Sequence, residues 1–292
     1  MNKTSNEAPV GGGGHARFVG SIPHMYDTYL GPLLFEFSGA DLARRVAGRM
    51  PGSIKVLELA CGTGISTGYL RQGLDADATI VATDLNDAML DYAREKRGAL
   101  ANVNYQQADA QDLPFDDGAF DVVVCQFGIM FMPDKAKALS EMFRVLRPGG
   151  LVAFNVWDSL QINRVAGLTQ DTIASFSEVA PPDFLSTPFG FYQIAPIRDL
   201  IAGAGFADPE IHTVSETVQI ADAITIARGF VEGTPAILQI RERGGVDPAD
   251  IVATVAEAIQ DLYGRTLDGR GSDDGAGLQI PLQEIVFLAN RT

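Results

Sequence analysis

The sequence predicts an α/β fold built on a doubly wound, mostly parallel sheet. Two observations carry that reading. In Val56-Leu57-Glu58-Leu59-Ala60-Cys61-Gly62-Thr63-Gly64 an apolar run ends in an acid and breaks into a glycine turn, the way a buried parallel strand passes into a loop that cradles a nucleotide. Beyond it, apolar or β-branched runs alternate with helix-like stretches as far as Trp157, the spacing of strand–helix–strand units.

Each element has its own justification. Gly62 and Gly64 lack side chains, so backbone N–H groups can come close to a ligand, and the helix expected from residue 65 points its positive end at the same place. Residues 79–84, Thr79-Ile80-Val81-Ala82-Thr83-Asp84, form a β-branched strand ending in an acid, and Asn86 or Asp87 can cap the helix through Met89, Leu90 and Ala93. Asp84 thus falls at a strand's carboxyl end, where open α/β sheets bind ligands and where a carboxylate can accept both hydroxyls of a ribose. A third strand over 102–107 leads into Ala108-Asp109-Ala110.

Residues 120–126 form a near-continuous apolar run, expected to be buried on both faces. A helix over 134–146 should stop at the breaker cluster Arg147-Pro148-Gly149-Gly150, before a fifth strand over 151–156. Further on, a helix over 194–204 is closed by Gly205 and followed by a strand over 210–220. Asp247-Pro248 can start a helix running to Leu262, residues 268–277 read as a mobile Gly/Asp-rich loop, and residues 282–289 supply the last strand.

The glycine turn alone leaves a dinucleotide site open, since that fingerprint is G-x-G-x-x-G with an acid downstream. Here the glycines fall at 62, 64 and 68, Thr67 stands in the third place, and Asp84 is suitably placed.

With all the motifs in order, residues 54–157 resemble the class I S-adenosylmethionine-dependent methyltransferases, specifically the type 11 group related to ubiquinone and menaquinone methylases. Glu58 to Gly64 resembles the family's first motif, Asp84 its ribose-binding acid and Asp109-Ala110 its adenine-contacting pair. Leu113-Pro114-Phe115 with Phe120-Asp121-Val122-Val123, and Val145 to Gly150, are similar to its approaches to the fourth and fifth strands. The resemblance implies a seven-stranded Rossmann-like sheet with an antiparallel edge hairpin, its last strand inserted between neighbours, and helical cap insertions. On that pattern residues 1–14 are a flexible tail and 15–292 a single domain. Lid helices occupy 15–50, the cofactor-binding core 51–157, and the caps 158–195 and 221–280.

The resemblance also implies site residues. Gly62, Thr63 and Gly64 would face the methionine part of S-adenosylmethionine, Leu85 and Ala110 would bracket the adenine, Asp109 would accept from the adenine amino group, and Gln126 would lie near the methionine moiety. Tyr26, in a Tyr-Asp pair with Asp27, would close over the cofactor. Bland readings stand beside these. Glu58 can simply satisfy backbone donors around the loop, Asp121 can stabilise a strand start, and Tyr26 can be a packing residue of an amphipathic helix. Phe131 and Trp157, at carboxyl ends of strands, and Tyr29 are the candidates for an acceptor pocket. His24 is the candidate general base, with His15 and His212 placed less conveniently.

Composition narrows the function. The 292 residues carry 37 acidic and 22 basic side chains, a net charge of −15, which argues against a nucleic-acid substrate. Cys61 and Cys125 are expected as free thiols of a reducing compartment, with no metal-ligand pattern around them. No signal peptide and no apolar span of membrane length is visible, so a cytoplasmic location is expected. The oligomeric state is not legible. The expected activity is methyl transfer from S-adenosylmethionine, releasing S-adenosylhomocysteine, to a small, partly apolar or aromatic molecule. The alternatives are a nicotinamide-dependent oxidoreductase and a noncatalytic S-adenosylmethionine-binding protein.

Overall fold

The structure, a computed structural model, describes residues 18–176, 182–264 and 277–292. The tail expected over 1–14, His15 and nearly all of the loop expected over 268–277 lie outside the described residues. After a short helix α1 (Ile22–Met25), the chain widens into a π-helical segment, Tyr26–Phe35, and continues as α2 (Glu36–Arg49). Pro32 sits inside the π segment, where it has no N–H to donate to an α-helical ladder.

The core then alternates as expected: β1 (Lys55–Glu58), α3 (Ile65–Gly73), β2 (Thr79–Asp84), α4 (Asp87–Arg97), β3 (Val103–Gln107), β4 (Phe120–Gln126), α5 (Lys135–Val145) and β5 (Leu146–Trp157). Helix α6 (Arg164–Ala174) lies in the first insertion, followed by α7 (Ile194–Gly203) and β6 (Glu210–Ile220). The second insertion supplies α8 (Ala223–Glu232), α9 (Ala236–Arg243) and α10 (Pro248–Tyr263), and β7 (Leu278–Asn290) closes the sheet. Helix α10 begins where Asp247 accepts from the Ala249 N–H at 2.9 Å with Pro248 in the first turn, the start legible in the sequence.

The seven strands lie in the order β3-β2-β1-β4-β5-β7-β6. All pair in parallel except β7, which runs antiparallel to both β5 and β6 and lies between them. The order reverses between β1 and β4, the switch point at which open α/β sheets bind ligands. Strand β4 is buried on both faces, as its apolar run requires. One expectation needs correction: Arg147 to Gly150 do not break the chain before the fifth strand. Strand β5 starts at Leu146, and the register against β4 jumps from Phe120↔Leu146 to Val122↔Leu151. The cluster is therefore a bulge, held because the Gly149 N–H donates to Arg291 O and the Arg291 N–H to Gly150 O.

The cap packs over the carboxyl end of the sheet. Helices α8 and α10 lie against each other, α8 against the π segment and α10 against α6. Their buried side chains, including Ile226, Phe230, Val255 and Ile259, join one apolar cluster with Trp157, Phe127 and Leu30.

Two non-glycine residues leave the strands in the left-handed region: Ala60 after β1 (φ 51°) and Phe127 after β4 (φ 52°). Gly128 lets these two exits meet. A Cβ there would stand 2.4 Å from Ala60 Cβ and 2.8 Å from Cys125 Sγ. Its own φ of −90° suits any residue, so the demand is for space alone. Gly128→Ala should lower stability by about 1–3 kcal/mol in urea denaturation; a melt indistinguishable from wild type would show that the two exits can separate freely.

Candidate functional site

The site grows from the carboxyl ends of β1, β2 and β4. Glu58, fully buried, accepts the hydroxyls of Ser66 and Thr67, the latter at 2.6 Å, while its carbonyl accepts Thr83 Oγ1 at 2.8 Å. Its partners are thus side chains in the first turn of α3, not the backbone donors considered from sequence. That clasp sets where the glycine turn lies. Asp84 holds the turn from the other side: its Oδ2 accepts the Gly62 N–H at 2.9 Å and its Oδ1 the Asn86 N–H at 2.8 Å. Burial raises the Asp84 carboxyl above the ordinary aspartate range, opposed by the N–H groups of Asn86 and Gly62.

These elements enclose a cleft of about 780 Å³ including its mouth. Gly62, Asp84, Leu85, Asp109, Ala110, Gln126, Phe131 and Tyr26 all line it. Asp109 is braced through Oδ1, which accepts the Gln111 N–H at 2.8 Å. Phe18, Met89 and Ala108 complete the apolar part of the wall. The candidates scattered over more than a hundred positions of sequence therefore converge on one place. At its inner end a smaller space of about 270 Å³ is lined by Tyr26, Gly62, Thr63, Ser66 and Gln126. Thr63 Oγ1 and Gln126 Oε1 are buried there without a hydrogen-bond partner, although Gln126 Nε2 donates to Phe35 O at 2.9 Å. Buried polar atoms left unpaired are costly, so this end suits a ligand carrying both a donor and an acceptor, such as an amino acid moiety.

A third cavity, of about 450 Å³ including the open space at its mouth, opens past Tyr26, Phe127 and Phe131. Trp157, Phe184, Phe189 and Phe230 line it. The rings are ordered against one another: Phe127 lies flat on Trp157 with centroids 4.0 Å apart, and Phe131 stacks on Phe184 at 5.8 Å. Tyr26 borders all three cavities and stacks on Phe35 at 4.5 Å. Burial raises its hydroxyl pKa, with the Asp84 and Asp27 charges adding to the rise. Its neighbour Asp27, buried, pairs with Arg97, whose Nε also donates to Thr63 O at 3.1 Å. This pair ties the π segment to α4 and the glycine turn.

Other sequence candidates fall elsewhere. His24 is exposed, with Nδ1 3.4 Å from the Tyr92 hydroxyl, and lines none of the three cavities. Tyr29 likewise lines none; its hydroxyl lies 3.5 Å from Arg228 Nη1, because the wide turn of the π segment directs Leu30 and Leu34 inward instead. Gly64 takes φ 79° to cap α3 but borders none of the three cavities. His212 sits on edge strand β6, 2.5 Å from Glu210. Asp121 accepts the Lys55 N–H at 2.7 Å and pairs with Arg147, as a strand-start residue would. Phe18 and Phe127, which were not among the site candidates from sequence, also line the wall. Among the described residues no group of side chains could hold a metal ion, and no helix is long and apolar enough to cross a membrane.

Residues 57–154 match the family described as a methyltransferase domain. A ubiquinone/menaquinone biosynthesis C-methyltransferase of Idiomarina loihiensis is 49% identical over 102 residues, which make up 34% of this chain and 41% of that protein. The match thus spans about two fifths of the relative's length. The YcgJ protein of Bacillus subtilis superposes with a TM-score of 0.56 at 19% identity, covering 87% of this chain and 98% of its own. Phosphoethanolamine N-methyltransferase 2 of Haemonchus contortus, solved with S-adenosyl-L-methionine, gives 0.56 at 18% identity, covering 92% of this chain and 56% of its own. The fold is that of the class I methyltransferases.

The buried clasp has a measurable consequence. Burial pushes the Glu58 carboxyl up to about 7; the Ser66 and Thr67 hydroxyls oppose the rise and the Asp84 charge adds to it. A free glutamate ionises near 4.5, so between 4.5 and about 7 the folded protein keeps a proton that the unfolded chain has released. Stability contributed by this group is therefore highest at the acid end of that window and falls until pH passes about 7. Glu284, also pushed up to about 7 by burial, acts with the same sign. Urea titrations should find the protein less stable at high than at low pH across the window, and Glu58→Gln should remove on the order of 1–3 kcal/mol of that difference. A variant with the wild-type pH slope would contradict the placement of a neutral carboxyl here.

Proposed function

We propose that the protein transfers a methyl group from S-adenosylmethionine to a small, apolar, aromatic acceptor. One observation carries the reading: a cleft furnished with ribose, adenine and amino acid partners opens, at Tyr26, Phe127 and Phe131, into a chamber walled by aromatic rings. The names of the curated relatives, C-methyltransferases of ubiquinone and menaquinone biosynthesis, support a ring acceptor of this kind.

The residues present fit the cofactor. Asp84 would accept the ribose hydroxyls: Oδ2 carries only the Gly62 N–H, and on Oδ1 a hydroxyl would take the place of the long 3.3 Å bond from the Asn86 side-chain amide. Asp109 would accept from the adenine amino group between Leu85 and Ala110. Thr63 Oγ1 and Gln126 Oε1, unpartnered, would serve the methionine end. When bound, the cofactor supplies a methyl group on a sulfonium whose leaving group is a neutral thioether.

The chain's own part is binding, orientation and exclusion of water. No histidine, lysine or carboxylate lines the aromatic chamber among the described residues; Thr234 and Tyr26 are its polar members. With its pKa raised, the Tyr26 hydroxyl stays protonated at neutral pH and can donate a hydrogen bond but not remove a proton. The acceptor therefore reaches the chamber already able to attack, and His24, outside it, takes no part. The leading segment, pinned by Asp27 and Arg97, serves as the cover over both ligands. A dinucleotide is disfavoured at the same cleft: where its fingerprint needs a third glycine, Thr67 is buried with its hydroxyl on Glu58.

Calorimetry with S-adenosylhomocysteine tests the cofactor site: Asp84→Ala should weaken binding by roughly 1–3 kcal/mol with the fold retained. Unchanged affinity would remove Asp84 from the site. Incubation with S-adenosylmethionine and a panel of phenols, hydroquinones and amines should release S-adenosylhomocysteine only with apolar ring acceptors. Retention of a nicotinamide dinucleotide in place of S-adenosylmethionine would overturn the proposal.

A further inference from the structure

Two fully buried polar side chains have no part in the steps above, Asn155 near the end of β5 and Glu284 on β7. They are linked in series. The Phe127 N–H donates to Asn155 Oδ1 at 3.0 Å, and Asn155 Nδ2 donates to Glu284 Oε2 at 2.6 Å. The direction of the series is forced. A backbone N–H only donates, so Asn155 must turn its oxygen towards Phe127, and its NH₂ group must then find an acceptor. Glu284 is that acceptor.

At the other end of the series is the residue that separates the two ligand spaces. Phe127 holds a left-handed backbone (φ 52°), borders both the cofactor cleft and the aromatic chamber, and lies flat on Trp157. A conformation of that kind persists only where its surroundings hold it. Strand β7 reaches the spot because it is inserted antiparallel beside β5, with Glu284 opposite Trp157. From α2, Ser38, Asp41 and Arg45 act on the Glu284 carboxyl, while Ser38 Oγ donates to Leu34 O and Glu284 Oε1 has no hydrogen-bond partner. Burying a carboxyl here is unfavourable compared with an apolar side chain of similar volume, so what the residue contributes is its acceptor atom.

We propose that Glu284 is a positioning residue: by accepting from Asn155 it holds the Phe127 turn, and with it the wall between cofactor and acceptor. The inference rests on the cofactor reading for its affinity readout and is independent of it for its optical one. The experiment compares Glu284→Gln, Glu284→Met, Asn155→Leu and the Glu284→Met/Asn155→Leu double variant. The readouts are S-adenosylhomocysteine affinity by calorimetry and the emission of Trp157, the only tryptophan of the chain. Glu284→Met and Asn155→Leu should each weaken binding about tenfold, the worth of one hydrogen bond. The double variant should bind no worse than Asn155→Leu, because both act through one path. Glu284→Gln, which keeps an acceptor oxygen, should stay within about twofold of wild type. Additive losses in the double variant, wild-type affinity in Glu284→Met, or a Glu284→Gln as impaired as Glu284→Met would each overturn the proposal. If wild type does not bind S-adenosylhomocysteine, the cofactor reading fails, and the cycle is read on Trp157 emission: non-additive shifts support the positioning role and additive ones overturn it.

Discussion

The site depends on one buried carboxyl. Glu58 ends β1, gathers the hydroxyls of Ser66 and Thr67 from the first turn of α3, and through its carbonyl holds Thr83 of β2. Strand, helix and neighbouring strand are thereby fixed around the glycine turn before any ligand arrives. A loop of glycines is otherwise conformationally free, and a free loop would lose part of its binding energy in becoming ordered. With the turn held, Asp84 can bind the Gly62 N–H and still face the cleft.

The same principle extends along the sheet. Strands β1, β2 and β4 are largely apolar within, and the polar residues that end them, Glu58, Asp84 and Gln126, fall at the carboxyl edge on either side of the switch point. Polar side chains at this edge can be satisfied by first-turn hydroxyls and loop N–H groups, which a strand interior does not offer. The cap then supplies apolar surface. Helices α8 and α10 cannot bury their inward faces alone, and they cover the aromatic chamber by packing on the π segment and α6. A hydrogen-bonding half and an apolar half of the site follow from where the sheet ends and the cap begins.

Much of this was legible beforehand, for identifiable reasons. Strands β2 and β4 and the start of α10 were readable because β-branched or apolar runs and an Asp-Pro cap act locally. That Gly62, Asp84, Leu85, Asp109, Ala110 and Gln126 line one cleft was readable because each belongs to an ordered motif at a strand's end. The acceptor side was only partly readable. Phe131 and Trp157 follow strands and do line the chamber, but Tyr29 falls in the π segment, which turns it elsewhere, and His24, in α1, is exposed outside the three cavities. The pairing of Asn155 with Glu284 spans 129 positions and carries no local signal. Gly128 carries no local signal either, because its need for space arises only where the two strand exits meet.

The central claim is geometric: the cofactor's ribose rests on Asp84 while its sulfur faces the aromatic chamber past Tyr26 and Phe127. A crystal structure of the protein with S-adenosylhomocysteine tests it most directly. The account predicts both ribose hydroxyls within hydrogen-bonding distance of the Asp84 carboxylate, the amino acid end beside Thr63 and Gln126, and the sulfur at the mouth of the chamber. A ligand bound with its sulfur turned to solvent, or with no contact to Asp84, would contradict it.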